Sequence, residues 1–217
     1  KKLLRDSRLL TTRNLVDAIP NDTGRNMTLV SASGAGYYGP TKDEELTEAS
    51  PPGSDFLANL ARDWEAEAMK AEEKGVRVVT TRFGIVLGKG GGALGQMVRP
   101  FRFFAGGPMG DGQQWFSWIH IQDLCRAELF VIENTGVSGP VNFTAPVPVR
   151  NGDLAKAIGR AMKRPSFMPA PAFMLKLALG EFGSVLLEGQ RAVPGVLEEQ
   201  GFKFNFPRID KALEDLL

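Results

Sequence analysis

Two apolar runs decide the fold of this sequence: Met27-Thr28-Leu29-Val30-Ser31-Ala32 and Val76-Arg77-Val78-Val79-Thr80-Thr81-Arg82-Phe83. Each run is short and follows a segment, residues 1–19 or residues 56–68, in which apolar side chains recur at helical spacing. Apolar runs without polar alternation are typical of strands that are buried on both faces. We therefore predict an α/β fold in which the two strands lie side by side and parallel between helices.

The rest of the sequence changes in character after the second run. A glycine-rich excursion over residues 88–112 is followed by a predicted helix over 119–131 and a predicted strand at 141–144. Further helices are predicted beyond residue 150, the first of them capped by Asn151 or Asp153.

This change of character divides the chain into two predicted units. We expect residues 1–87 and 116–146 to form the parallel-sheet domain, and residues 88–115 and 147–217 to form a smaller, mostly helical substrate lobe. No linker of low complexity separates the two units.

The composition excludes several classes of partner. The 217 residues carry 26 basic and 25 acidic side chains without a basic block, so we expect a small-molecule substrate and no nucleic acid. The most apolar stretch, residues 173–187, is interrupted by charges and is too short to cross a bilayer, so no membrane is expected either. A single cysteine, Cys125, suits a cytoplasmic location, and we expect it to be a small buried residue on a helix.

One glycine-rich segment imitates a dinucleotide-binding turn. Gly90-Gly91-Gly92-Ala93-Leu94-Gly95 matches the spacing G-x-G-x-x-G, and Asp111 follows near the distance of a ribose-binding acid. Pro100 interrupts the expected helix, and Asp111 lies among glycines instead of at the end of a strand. A flexible loop is the better interpretation of this segment.

Tyr38 and Lys42 have the spacing Y-x-x-x-K, which allows a lysine one helical turn away to lower the pKa of a catalytic tyrosine. Gly39-Pro40 forms a turn directly after the strand, so the two side chains are not expected to share a helical face. The sequence leaves open a catalytic pair, a loop tyrosine near a ligand, and a plain surface turn.

The remaining candidates are aromatic. His120 is the single histidine, so we predict no metal site and give it a structural role. Trp115, Phe116 and Trp118 either stack on a ligand or belong to the core.

Several short segments, in a fixed order, carry a further signal. They are Ser7-Arg8-Leu9-Leu10-Thr11-Thr12, Ser31-Ala32-Ser33 with Gly36-Tyr37-Tyr38-Gly39, Asp55-Phe56 with Trp64-Glu65, Arg82-Phe83-Gly84-Ile85-Val86-Leu87-Gly88, Gly90-Gly91-Gly92, Pro100-Phe101-Arg102, Gly106-Gly107-Pro108, Trp118-Ile119-His120-Ile121 with Asp123, Pro148-Val149-Arg150-Asn151, and Glu188-Gly189-Gln190-Arg191. Together they resemble the epimerase-like branch of the extended short-chain dehydrogenase/reductases, the NAD-dependent epimerase/dehydratase or cell-division-inhibitor-like proteins. The resemblance covers nearly the whole chain.

The resemblance implies the C-terminal part of a Rossmann-type parallel sheet, with a smaller, mostly helical substrate lobe. In that family a glycine-rich turn after the first strand binds the pyrophosphate of NAD or NADP. By the resemblance, roughly 80 residues, about two βαβ units, would precede Lys1 in relatives. The strand at residue 27 would then be an uncovered edge, which a longer product or a second copy in a homo-oligomer would cover, and binding of the cofactor by residues 1–217 alone is in doubt.

The resemblance also assigns residues to the cofactor. It places Arg8 at the head of the first helix, within reach of the cofactor, and Ser33 beside the nicotinamide. On the far side it places Arg82, Phe83, Gly84 and Val86. A surface ion pair for Arg8 and a turn for Ser33 are the alternatives.

Two departures from the family pattern bear on activity. The tyrosine and lysine of the family are expected on the helix at residue 56, where Phe56, Leu57, Leu60 and Ala61 stand and none can transfer a proton. Phe116 takes the place of an arginine that clamps the diphosphate of nucleotide sugars, which makes such a substrate less expected.

Two functions follow from this pattern. The first is an NAD(P)-binding oxidoreductase or epimerase-like protein acting on an unknown small molecule in a cleft near Ser33, Tyr38, Arg82 and Trp118. Phe116 is also predicted to contact the substrate. In this function Ser33 orients the substrate oxygen, and Tyr38 or Tyr37 is the phenol available for proton transfer. The second is a catalytically inactive regulatory or scaffold protein that binds the cofactor.

Overall fold

A computed structural model describes residues 1–21 and 26–217 as a layered α/β structure. In chain order its elements are α1 (Lys2–Ala18), β1 (Thr28–Gly34), β2 (Glu45–Leu46), α2 (Phe56–Met69), β3 (Arg77–Phe83), β4 (Ile85–Leu87), α3 (Gly92–Met97), α4 (Arg99–Arg102), β5 (Trp115–Phe116), β6 (Trp118–His120), α5 (Ile121–Glu133), β7 (Gly139–Phe143), β8 (Val149–Arg150), α6 (Asn151–Met162), α7 (Ala172–Leu179), α8 (Glu181–Leu186), β9 (Arg191–Ala192), α9 (Gly195–Glu199) and α10 (Ile209–Leu216). Two short 3-10 turns, Ala35–Tyr38 and Lys70–Lys74, follow β1 and α2.

The central sheet has three parallel strands in the order β1-β3-β7. Thr28 pairs with Arg77 at one end of the β1–β3 ladder and Gly34 with Phe83 at the other, so the predicted side-by-side parallel pairing is confirmed. Parallel strands need a crossover between them, and α2 and α5 provide it. Within the described residues β1 is an edge strand, as expected.

The two faces of the sheet are covered by different helices. Val78 packs in a cluster with Val16 of α1 and Ala68 of α2. Its neighbour Val79 packs in another cluster, with Val131 of α5 on the opposite face. Successive side chains of a strand point to opposite faces, so a strand covered on both sides buries consecutive side chains. Val78 and Val79 of β3, both fully buried, show this burial on the two faces, whereas the buried Arg82 near the end of the strand needs polar partners.

A third cluster joins the sheet region to the second lobe. It contains Leu87 and Trp118 together with Leu154 and Ile158 of α6 and Leu213 of α10. The terminal helix α10 buries Ile209, Leu213 and Leu216, which form an apolar stripe on one face. The boundaries of the two predicted units stay a prediction.

Local departures from the predicted elements have simple causes. Residues 92–97 form α3, so the glycine-rich segment is a loop only as far as Gly91. The helix predicted from residue 119 begins at Ile121, because Ile119 and His120 pair with β4. Asn151 does not cap α6 but accepts a hydrogen bond from Met109 N instead. Asp55 does cap α2, through Ala58 N at 2.8 Å.

Two further observations concern exposure and length. Cys125 lies on α5 as expected but is exposed, so the expectation that it is buried is wrong. Among the described residues, the helices are too short or too polar to span a membrane.

Gly84 shows where close packing demands a glycine. A Cβ at this position would lie 2.8 Å from Ser117 O and 3.0 Å from Trp118 N, both of them backbone atoms. The resemblance assigned Gly84 to the cofactor, and the structure gives it this packing role.

We expect Gly84→Ala to lower the free energy of unfolding by about 1–3 kcal/mol, because the added methyl group forces backbone apart in a packed core. Gly91→Ala is the control, since a Cβ there meets no atom within 4 Å. Chemical denaturation of both variants measures the difference. Equal stability of the two variants would contradict the packing role of Gly84.

Candidate functional site at the carboxyl edge of the sheet

Three polar residues stand side by side at the carboxyl ends of the central strands. Ser33 of β1 pairs with Arg82 of β3, and Arg82 pairs with Asn142 of β7. Residues paired in register across parallel strands point to the same face. Here it is the face covered by α2, and all three side chains are buried. In open α/β sheets, ligands bind outside this edge.

Glu65 of α2 joins two members of this row. Its Oε1 accepts a hydrogen bond from Ser33 Oγ at 2.6 Å and one from Arg82 Nε at 2.9 Å. Its Oε2 accepts a second one from Arg82 Nη2 at 2.8 Å, so the ion pair is bidentate. Both side chains are at least nine-tenths buried. A buried charge needs its partner, because isolation in an apolar interior costs several kcal/mol.

Tyr38 completes the network from the turn after β1. Its hydroxyl donates to Asn142 Oδ1 at 2.7 Å and accepts from Arg82 Nη1 at 3.0 Å. Burial raises the pKa of Tyr38 to about 12, although Arg82 acts in the opposite direction. Tyr38 is 3% exposed, so the surface-turn interpretation is wrong, and Lys42 is exposed.

Tyr37 lies beside the same guanidinium. The centre of the Arg82 guanidinium is 3.4 Å from the centroid of the Tyr37 ring, and the two tyrosine rings meet edge to face. Arg82 is therefore held by a carboxylate, a phenol and an aromatic face. The resemblance assigned this guanidinium to the cofactor, but in the structure it contacts these protein groups.

Glu48 ties the network to the second lobe. Its Oε1 accepts hydrogen bonds from Asn142 N at 2.8 Å and from Val196 N at 3.2 Å. Burial raises the pKa of Glu48, and the backbone donors oppose that rise. Asn142 Nδ2 also donates to Val193 O at 2.9 Å. Strand β7 and the segment from β9 to α9 thus share polar contacts.

The structure places the other residues assigned to the cofactor away from this network. Arg8 is exposed in the second turn of α1 rather than at its head, and its guanidinium lies 5.4 Å from the Trp64 ring centroid. Phe83 and Val86 pack against the cluster on the opposite face of the sheet. Ser33 and Arg82 come together, whereas Arg8, Phe83 and Val86 do not join them.

The residues assigned to the substrate lie in the core. Trp118 is fully buried and donates from Nε1 to Val147 O at 3.1 Å, and Phe116 is 5% exposed in the same cluster. The core interpretation is therefore confirmed for Trp118 and Phe116, and direct substrate contact would require them to leave that cluster, whereas Trp115 is only partly buried and donates to Asp43. The predicted substrate contact and the observed core position differ because these aromatic side chains are apolar enough to pack between the sheet region and α6.

His120 has the structural role that was predicted. Its Nδ1 accepts a hydrogen bond from Gln122 N at the start of α5, and its ring stacks on Phe206. Its Nε2 lies 3.3 Å from Asp215 Oδ2 without good hydrogen-bond geometry. Burial lowers the pKa of His120, which favours the neutral ring.

Sequence reasoning missed Glu65 as a site residue. A signal existed, because Glu65 lies four residues after Ala61 and three before Ala68, on the apolar face of α2. A charged residue at a core position of a helix indicates a buried partner. Its partners, Ser33 and Arg82, are distant in sequence, so spacing alone does not identify them.

The parallel sheet, its two helical layers and the polar carboxyl edge define an α/β protein of the Rossmann type. The chain belongs to the NAD-dependent epimerase/dehydratase family, whose sequence model matches residues 2–143. This confirms the resemblance found from the sequence. A second family model, Domain of unknown function (DUF1731), matches residues 170–216.

Individual relatives agree with this assignment. The chain is 45% identical over 219 residues to the chloroplastic "Epimerase family protein SDR39U1 homolog" of Arabidopsis thaliana. The match covers 100% of this chain and 63% of the Arabidopsis protein. It is 39% identical to "Epimerase family protein YfhF" of Bacillus subtilis, of which it covers 72%. The chain therefore spans less than two thirds of the length of the Arabidopsis relative.

Solved structures give the same result. The structure of human epimerase family protein SDR39U1 with NADPH has a TM-score of 0.90 and 35% identity, and covers all of this chain and 75% of the human chain. UDP-glucose 4-epimerase of Thermotoga maritima, at 14% identity and a TM-score of 0.74 over 97% of this chain and 68% of that one, shares the fold alone.

We expect Glu65→Gln to lower the free energy of unfolding by about 3–5 kcal/mol, because it leaves the buried Arg82 guanidinium without a counter-charge. Glu73→Gln, at an exposed position, is the control and should change stability by less than about 0.5 kcal/mol. Denaturant titration of both variants tests this. A loss below about 1 kcal/mol for Glu65→Gln would contradict a dominant ion pair.

We also expect Tyr38 to ionise near pH 12 in the folded protein. The folded pKa lies above the unfolded value of about 10, so this contribution to stability is present below pH 10 and is lost as the pH rises through the folded pKa. Tyrosinate absorbance of the Tyr37→Phe variant reports Tyr38 alone. Ionisation near pH 10 while the far-ultraviolet dichroism is still native would show that burial does not control Tyr38.

Proposed function

We propose that this protein binds NADP(H) or NAD(H) at the carboxyl edge of the central sheet and acts as an oxidoreductase or epimerase-like enzyme on a small molecule. The observation that carries the proposal is the Ser33–Glu65 hydrogen bond at the end of β1, in the row that Ser33 shares with Arg82 and Asn142. The NADPH in the structure of the human relative supports the cofactor class.

The residues at this edge fit the nicotinamide end of a dinucleotide. Gly34 and Gly36 leave the chain without side chains just after β1, and a Cβ at either position would meet no atom closer than 3.6 Å. Thr144 follows β7 on the same face as Asn142, and its buried Oγ1 has no hydrogen-bond partner among the described residues. A polar ligand group at this edge would satisfy that oxygen.

When bound, the nicotinamide supplies the hydride donor or acceptor. The residues of this chain orient the substrate. Ser33 Oγ donates a hydrogen bond to Glu65. Its lone pairs are therefore left to accept a hydrogen bond from a substrate hydroxyl. Arg82 holds the Glu65 carboxylate in place through two hydrogen bonds, and Tyr38 holds Arg82 in place.

Proton transfer needs a different group from the tyrosine and lysine of the family. Leu60 and Ala61, at the expected positions on α2, are buried and apolar. The hydroxyl of Tyr38 is already bound to Asn142 and Arg82, which favours a positioning role over the catalytic role expected from the sequence. Tyr37, which is only partly buried, is the phenol that we assign to proton transfer.

We expect Ser33→Ala and Tyr37→Phe each to lower turnover by about 100-fold, a typical contribution of a group that orients the substrate or transfers a proton. The assay follows NADPH consumption by the full-length protein with a panel of small hydroxyaldehydes and hydroxyketones, whose hydroxyl can donate to Ser33 Oγ. Ser31→Ala, on the same face of β1, is the control and should keep full activity. Undiminished turnover in both site variants would refute the assignment.

A second candidate function is a catalytically inactive, cofactor-binding protein. One observation favours it: apolar residues stand on α2 where the family is expected to carry its catalytic tyrosine and lysine. A cofactor-binding regulatory or scaffold protein would bind NADPH, by equilibrium titration, yet turn over no compound of the panel. Robust turnover of any compound rejects this alternative.

The proposal also covers the cellular compartment and the uncovered edge of the sheet. A reducing compartment such as the cytoplasm suits the exposed thiol of Cys125. The edge of β1 is the place where a further segment or a second copy would pair with the sheet.

A further inference from the structure

A surface of the second lobe, away from the polar network, combines exposed apolar side chains with positive charge. We call it the lobe face; it consists of residues 99–104 and 163–177. Its large exposed apolar side chains are Phe103, Phe104, Phe167, Met168, Phe173, Met174 and Leu177, and four of them are at least 70% exposed. Exposed apolar side chains that are contiguous mark an interaction surface, whereas scattered ones do not.

The two segments of the lobe face lie against each other. Met168 N donates to Gly106 O at 3.1 Å, and the Arg164 guanidinium lies 4.4 Å from the centroid of the Phe104 ring. A parallel bridge between Met109 and Ala170 continues this contact towards α7. The apolar side chains therefore belong to one surface.

One phenylalanine of this surface is held in a strained conformation. Phe104 has φ of 58°, in the left-handed region that a bulky residue rarely adopts, and its ring is 55% exposed. Such strain costs folding free energy, and an exposed ring recovers little of it by burial within the chain. Burial of the Phe104 ring against a partner would offset the free-energy cost of this strain.

The charge of the lobe face differs from that of the whole chain. The chain has 26 basic and 25 acidic residues, yet residues 90–110 and 154–180 contain no acidic residue at all. The exposed cations Arg99, Arg102, Lys163 and Arg164 lie in these segments. All the aspartates and glutamates are elsewhere, so the partner of this face is expected to be anionic and partly apolar.

We propose that the lobe face binds the surface of an anionic lipid bilayer. Phenylalanine, methionine and leucine side chains enter the boundary between headgroups and acyl chains, while lysine and arginine side chains contact anionic headgroups. Contact with a surface does not require a spanning helix. No membrane partner was expected from the sequence, because no apolar stretch is long enough to cross a bilayer. The length of an apolar stretch does not limit binding to the surface of a bilayer.

The observations favour lipid over other occupants. A second copy in a symmetric contact would bring the same cationic face against itself, and like charges would repel. Single-stranded nucleic acid would stack bases on the phenylalanine rings but would leave the aliphatic side chain of Leu177, which is 86% exposed, without a partner. Acyl chains contact aromatic and aliphatic side chains alike.

Co-sedimentation of the full-length protein with vesicles tests the proposal. The vesicles are phosphatidylcholine alone, or phosphatidylcholine with about a third phosphatidylglycerol. We expect binding to the anionic vesicles, weakened at high salt because charge attraction is screened.

Two pairs of variants separate the apolar and the charged contributions. We expect Phe173→Ser with Leu177→Ser, and separately Arg102→Glu with Lys163→Glu, to weaken binding to the anionic vesicles by about tenfold or more. The matched controls are Leu3→Ser with Leu10→Ser on α1, and Lys203→Glu with Lys211→Glu, all at exposed positions outside the lobe face. These controls should bind like the unaltered protein.

The outcomes are distinguishable from those of the proposed enzyme. All variants should bind NADPH normally, because the altered side chains are exposed and far in sequence from Ser33 and Glu65. No binding to either vesicle, equal binding by the lobe-face variants and the controls, or binding to a single-stranded oligonucleotide instead of vesicles would overturn the proposal.

Discussion

The buried ion pair of Glu65 and Arg82 is the constraint on which the carboxyl edge of the sheet depends. Arg82 comes from the central strand and Glu65 from the helix that crosses from β1 to β3. Burial desolvates both charges, and each offsets the desolvation cost of the other. Ser33 and Tyr38 then bond to members of this pair. One pair of charges thus fixes the position of α2 relative to the ends of two strands.

Helix α2 keeps a polar contact with the end of β1 although it lacks the tyrosine and lysine that the family resemblance predicts there. The positions where the family carries tyrosine and lysine are apolar here, and the polar contact lies one helical turn further along, at Glu65. A carboxylate held by a guanidinium orients a neighbouring hydroxyl, whereas proton donation requires a group with a free proton. In the proposed function, Ser33 therefore orients the substrate and a different residue transfers the proton.

The sequence predicts the layered fold because the physical signals there are local. Apolar residues at consecutive positions of β3 report burial on both faces, and helical periodicity reports α1, α2 and α10. The two-residue strands and the start of α5 are less predictable, because their limits depend on pairing with distant segments. Of the site, Ser33 and Arg82 were found from the resemblance, whereas Glu65 needed three-dimensional contacts. Trp118 was ambiguous because the same aromatic residue suits a core or a ligand.

The shared acceptor at Glu48 has a mechanical consequence. One carboxylate oxygen holds the backbone of β7 and the first turn of α9 together, so swinging the second lobe about this point would strip two N–H donors of their acceptor inside the protein. The hinge for any opening of the molecule must lie elsewhere. Any movement that admits a ligand would then involve the loops and short helices on the other side of the edge, while the junction at Glu48 stays rigid.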